Sequence, residues 1–140
     1  MADVVFSFKT ESIGLVEKLA QTFEAAGISC WYANRDSKPG NYSGNISRAI
    51  KECRIFLLVL DRLSLHSAHV KTETALAFRR FAQGEPITLI PFRVDDCNVQ
   101  EDEDLDYFLV LQQIVDGSPP DTKHIKNLLY IVTEILSTPA

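Results

Sequence analysis

GISCWYANRDSKPGNYSGNISRAIKECRIFLLVLDRLSLHSAHVKTE, residues 27–73, decides how this chain folds. An apolar stretch closes on Cys30 and Trp31, a polar loop with Pro39 and Gly40 follows, and a helical stretch ends near Cys53. Ile55–Leu60 then runs without a polar residue, the pattern of a strand covered on both faces of a parallel sheet. After it come Ser64-Leu65-His66-Ser67 and a helix that carries a lone acid, Glu73, about two turns beyond the Ser67 cap.

Strand and helix continue to alternate on either side. Residues 4–8 read as a strand and Thr10 and Ser12 as helix caps; Leu15, Val16, Leu19, Phe23 and Ala26 recur at helical spacing before a capping Gly27. Residues 28–33 read as the second strand, 34–44 as an exposed loop, and 45–53 as a helix with Ile46, Ala49 and Ile50 inward. A helix over 68–81 stops at Gly84 and Pro86, and 87–94 form the fourth strand, where Pro91 predicts an edge position or a bulge. The run Glu101-Asp102-Glu103-Asp104 reads as a solvated loop without calcium-loop spacing. Residues 105–111 read as a short helix and 112–116 as a short fifth strand; Asp121 caps a last helix with Ile125, Leu128, Leu129, Val132 and Leu136 on its apolar face.

Such alternation predicts an α/β protein, flavodoxin-like in the broad sense: a three-layer sandwich with a central five-stranded parallel sheet flanked by helices and joined by right-handed crossovers. Ligands in these sheets bind beyond the carboxyl ends of the strands. That directs attention to Phe8-Lys9-Thr10, residues 34–44, residues 61–67 and Asp95-Asp96.

Composition narrows the function. With 140 residues and 46% hydrophobic content the chain builds one domain over 1–140. A net charge of −5 with scattered lysines and arginines argues against nucleic acid as a partner. Cys30, Cys53 and Cys97, odd in number and widely spaced, suit a reducing, cytoplasmic setting; no signal peptide or membrane-length apolar run occurs. His66 and His69 sit at helical spacing but lack a nearby third ligand, so no metal site is expected. There is no Walker loop, no G-x-G-x-x-G and no G-x-S-x-G, and nothing arranges Ser, His and Asp as a triad.

Several motifs stand together in order: the strand Cys30-Trp31-Tyr32-Ala33 (C-W-x-A), the loop Arg35 to Gly40 (R-D-x-x-P-G), and Ser64-Leu65-His66-Ser67 (S-L-x-S) followed six residues later by Glu73. Val5-Phe6-Ser7-Phe8 loosely matches an F-x-S-[YF] start. In this combination, and over nearly its whole length, the chain resembles the TIR (Toll/interleukin-1 receptor) domain, in the style of prokaryotic members of the NAD-cleaving branch. By periodicity alone Glu73 reads as a surface glutamate on an amphipathic helix; the resemblance makes it the catalytic glutamate.

The resemblance implies an NAD+ glycohydrolase or cyclase that releases nicotinamide and makes ADP-ribose or a cyclic form, with NAD+ as substrate and no cofactor. A single carboxylate is consistent with that chemistry. Ordinary glycosidases need a second acid to protonate the leaving oxygen, whereas a pyridinium departs as neutral nicotinamide, leaving one acid to hold the ribose and stabilise the developing cation. Phe8, Lys9, Arg35, Ser64, His69 and Asp95 are the implied substrate contacts, and core packing explains Phe8 equally well. Trp31 reads as core. Asp95 is either a second carboxylate of the cleft, raising the Glu73 pKa, or a solvated loop aspartate.

The 35–40 loop, called the BB loop in that family, implies head-to-tail assembly with other TIR domains through Asp36, Lys38, Pro39, Gly40 and Tyr42. The resemblance further implies an effector domain of a longer protein with its own sensor, in antiphage defence or cell-death signalling. His69 stands where NAD-cleaving members often carry tryptophan; imidazole stacks with less surface than indole and is able to carry a proton. Two other functions fit the same fold: a non-catalytic TIR–TIR adaptor module, and an enzyme like the nucleoside deoxyribosyltransferases.

Overall fold

Five parallel strands form one sheet in the order β2-β1-β3-β4-β5. The structure, a computed structural model, describes residues 1–40 and 42–139; the side chains of Tyr42 and Ser43 lie outside the described residues, and with them the assembly role expected of Tyr42. The strands are β1 (Val4–Ser7), β2 (Cys30–Trp31), β3 (Ile55–Leu60), β4 (Thr88–Arg93) and β5 (Val115–Asp116). The helices are α1 (Ile13–Ala25), α2 (Ala33–Asp36), α3 (Tyr42–Glu52), α4 (Ala68–Ala82), α5 (Glu103–Leu109) and α6 (Thr122–Ser137). This is the flavodoxin-like sandwich expected of the alternation.

Side-chain parity along the strands assigns the two layers. Val4, Phe6, Phe8, Leu57, Val59 and Phe92 pack against α1 and α6, while Val5, Phe56, Leu58, Leu60 and Leu89 pack against α3, α4 and α5. All six residues of β3 are buried, each contributing roughly 1.5–3 kcal/mol, which explains its unbroken apolar run. Gly27 ends the α1 turn with φ +84°, a left-handed conformation suited to glycine, and the Asp121 carboxylate accepts from the His124 amide at the start of α6.

Several local expectations are corrected. β2 is shorter than 28–33: the Tyr32 amide donates to the Asp36 carboxylate at 3.0 Å and Tyr32's carbonyl accepts from the Arg35 and Asp36 amides, so the chain winds into α2. Ser12 does not cap α1 through its side chain; its hydroxyl donates to Asp61 at 2.8 Å, joining the loops after β1 and β3. The acidic run is not a free loop. Asp102 caps α5 by accepting from the Leu105 amide and pairs with Lys71 of α4, while Glu103, Asp104 and Asp106 sit in the first turn, where the helix dipole favours acids. The fifth strand shrinks from 112–116 to two residues.

Pro91 lies in a strand with neighbours on both sides, in unbroken register opposite Leu58, so neither a bulge nor an outermost strand is found. The Thr88 and Val94 amides donate to Arg54 and Leu60, placing the even-numbered amides of β4 toward β3. The proline nitrogen therefore faces the other flank, where β5 pairs only with Phe92 and Arg93. The strand is interior where β5 reaches and has an open flank before it.

Gly117 closes β5 against the core. A β-carbon there would lie 2.3 Å from the Phe92 ring, which is fully buried and has nowhere to move. Gly117→Ala is expected to cost about 1–3 kcal/mol by overpacking. Thermal unfolding checks this, and an unchanged melting temperature would contradict it.

Candidate active site

Glu73 meets β1 at its carboxyl end. Helix α4 starts at Ser67, whose hydroxyl accepts from the Val70 amide at 3.3 Å, and buries Val70, Thr74 and Ala77. Glu73 and His69, four residues apart, lie together on the helix surface. Ser7 shares the parity of Val5, so its hydroxyl points to the α4 side of the sheet and donates to Glu73 Oε1 at 2.7 Å. One helical turn earlier, His69 Nε2 lies 3.2 Å from the Phe8 carbonyl and Nδ1 lies 3.0 Å from the Ser67 hydroxyl. A carbonyl only accepts, so Nε2 carries the proton, and in the neutral ring Nδ1 accepts from Ser67. Ser7, the last residue of β1, and Phe8 just after it are thereby tied to consecutive turns of α4.

A cavity of about 180 Å³ opens here, lined by Phe6, Phe8, Thr10, Ala33, Asn34, Ile46, His69 and Glu73. It is smaller than the roughly 300–1,000 Å³ that encloses a drug-sized ligand. Phe6, Phe8, Ala33 and Ile46 line one part of it and Thr10, Asn34, His69 and Glu73 the rest, with Glu73 its one carboxylate among the described residues. The Glu73 carboxyl is half-buried, and its pKa is raised: burial drives it up, against the Ser7 hydrogen bond and the charge His69 can carry, both of which pull it down. Asp95 is not among these influences, so of its two readings the like-charge one falls away, and burial is what raises Glu73.

Phe8, His69 and Glu73 are thus brought together, and the other expected contacts are not. Lys9 precedes a 3-10 turn over Thr10–Ser12 and does not line the cavity. The Arg35 guanidinium is spent on Glu24, Asp36 and the Cys30 carbonyl, and it stacks 4.7 Å above the Tyr32 ring. It braces α1 against α2. Ser64 is fully buried and closes the turn after β3, its amide donating to Asp61 Oδ1 and its hydroxyl exchanging bonds with the Asp61 backbone. Asp95 accepts from the Arg62 and Cys97 amides; burial alone would raise its pKa, but these donors outweigh that and hold it low. In the 35–40 loop, Asp36 is engaged by Tyr32 and Arg35, while Lys38, Pro39 and Gly40 are exposed, Gly40 with φ +89°.

Of the other lining residues, Thr10 reads in the sequence as a helix cap, Asn34 as part of an exposed loop and Ile46 as a core position. Ser7 stands in the Val5-Phe6-Ser7-Phe8 stretch, where nothing local marks its hydroxyl.

A sequence profile of the TIR domain matches residues 4–129. The chain belongs to the TIR domain family. Among solved structures it is similar to the TIR domain of the Toll-related receptor TRR-2 from Hydra magnipapillata, with a TM-score of 0.74 and 21% identity over 95% of this chain and 99% of that one. It is also similar to a metazoan TIR-STING receptor from C. gigas in complex with 2',3'-cGAMP, with a TM-score of 0.78 and 20% identity over 99% of this chain and 40% of that one. The TIR domains of the activated Roq1 resistosome give a TM-score of 0.62 and 18% identity over 100% and 86%. At these identities the likeness concerns the fold. No curated protein matched the sequence.

Proposed function

We propose that this TIR domain cleaves the nicotinamide–ribose bond of NAD+. The observation that carries the reading is the lone carboxylate: Glu73 reaches a small cavity at the carboxyl end of the sheet, with no second acid lining it among the described residues. A glycosidic oxygen would need a proton donor to leave. The pyridinium of NAD+ needs none: as the C1′–N bond breaks, its electron pair returns to the ring nitrogen and neutral nicotinamide departs. Glu73 then faces the cationic ribose and stabilises it electrostatically. Water adding at C1′ gives ADP-ribose and a proton; attack by another nucleophilic atom of the same ADP-ribose gives a cyclic product.

A cavity of about 180 Å³ accommodates the nicotinamide end, so the remainder of the dinucleotide lies beyond its rim. The exposed Lys38-Pro39-Gly40 turn is available for head-to-tail association with further TIR domains, and assembly is the proposed activator, in a defence or cell-death setting. One observation favours a second reading as a non-catalytic TIR–TIR module: both nitrogens of His69 are engaged by the protein, which limits how the ring adapts to a stacked heterocycle.

Incubation with NAD+ at high protein concentration and under crowding, with the products separated, decides between the two. The expected result is nicotinamide release whose rate per chain rises with protein concentration. No release under forced assembly would defeat the enzyme reading and leave the adaptor.

A further inference from the structure

We infer that Ser7 is a positioning residue for Glu73: its hydroxyl holds Oε1, fixing the carboxylate's direction and favouring its ionised form. The inference rests on the reading of Glu73 as the reacting carboxylate. Ser7 ends a strand whose other three residues are buried and apolar, and it is itself 1% exposed. A hydroxyl buried that deeply is costly unless it is paired. Its partner is Glu73, 66 residues away in sequence. The link between His69 and the Phe8 carbonyl already ties α4 to the end of β1, which leaves the Ser7 bond to govern the carboxylate rather than the helix. The Ser7 bond engages Oε1 alone, which leaves Oε2 the oxygen to meet a ligand.

The groups facing Glu73 make the consequence readable. His69 on its own helix is the titratable neighbour; β1 presents only the Ser7 hydroxyl, and the Ala33–Asn34 corner and Ile46 of α3 present no titratable group. The Ser7 bond favours the carboxylate, so its loss makes Glu73 hold its proton to higher pH.

The test compares wild type, Ser7→Ala and Ser7→Cys, the last close in volume with a weak donor. Glutamate side-chain carboxyl carbons are followed by NMR titration, with Glu73 assigned by its absence in Glu73→Gln. NAD+ cleavage is measured against pH on the same proteins. The Glu73 midpoint is expected to move upward in Ser7→Ala and by less in Ser7→Cys. The acid limb of cleavage should move with it, kcat at neutral pH should fall about tenfold, and KM should change little. A Glu73 midpoint unchanged in a folded variant overturns the inference, and Ser7→Cys decides if Ser7→Ala does not fold. If no variant cleaves NAD+ at any pH, the enzyme reading fails while the titration still settles the Ser7 contact.

Discussion

Glu73→Gln is expected to lower nicotinamide release by about 10²-fold or more while leaving the protein more stable than wild type. The loss follows from removing the charge opposite the developing ribose cation, a preorganised term of about 3–4 kcal/mol in comparable sites. The gain has a separate origin. Burial raises the Glu73 pKa above that of an exposed glutamate, so the folded state binds its proton more tightly than the unfolded chain does. A raised carboxyl pKa makes stability fall as pH rises from the ordinary glutamate range through the folded-state value. Glutamine retains an oxygen for the Ser7 hydroxyl and carries no charge to desolvate. The variant should therefore be more stable than wild type at neutral pH and melt higher, with the advantage vanishing toward acid. Thermal unfolding of both proteins across pH checks the sign. A variant less stable than wild type at neutral pH would show that Glu73 supports the fold.

Arg80→Met should strongly damage the scaffold. Arg80 is 9% exposed, and its Nη1 donates to the carbonyls of Ile50 and Cys53 at 2.9 and 2.6 Å, closing the end of α3 against α4. Its Nε pairs with Glu85 at 2.9 Å. Methionine fills much of the space but leaves two buried carbonyls without that donor, an expected cost of about 3 kcal/mol and a fall of about 10 °C in melting temperature. Arg80→Lys keeps the charge but loses the planar fork and should fall between. Glu85→Gln should cost less than about 1 kcal/mol, because that carboxylate is largely solvated. Denaturant unfolding of the three variants tests the ranking; equal losses for Arg80→Met and Glu85→Gln would assign the effect to the ion pair instead of the carbonyls.

What could be read from the sequence was whatever local chemistry controls. The unbroken apolar run of β3, the helical spacing of α1 and α6, and the Gly27, Ser67 and Asp121 caps each follow from neighbours within a turn or two, and all appear where expected. The errors come from side chains that satisfy one another inside the fold instead of facing the cavity. The resemblance made Arg35 a substrate contact, yet Glu24 from α1 and the Cys30 carbonyl absorb it. Ser64 sat in the motif that located Glu73, but its polar atoms are turned inward onto Asp61. Ser7 was hidden for the opposite reason: one hydroxyl at the end of an apolar strand announces nothing until the fold brings α4 against it.

The unfinished flank of β4 has a consequence for solubility. A strand with open hydrogen-bonding groups is a template on which another chain can add, and such edges seed aggregation. Among the described residues no strand lies beside Thr88–Pro91 on the outer side, and there the imide of Pro91 withholds a donor that an incoming strand would need. Residues 112 and 113 and α6, through Ile131 and Ile135, wall the adjoining space. Pro91 thus works as a stop signal, guarding against adventitious sheet extension in a domain whose proposed activity depends on copies meeting in one prescribed way.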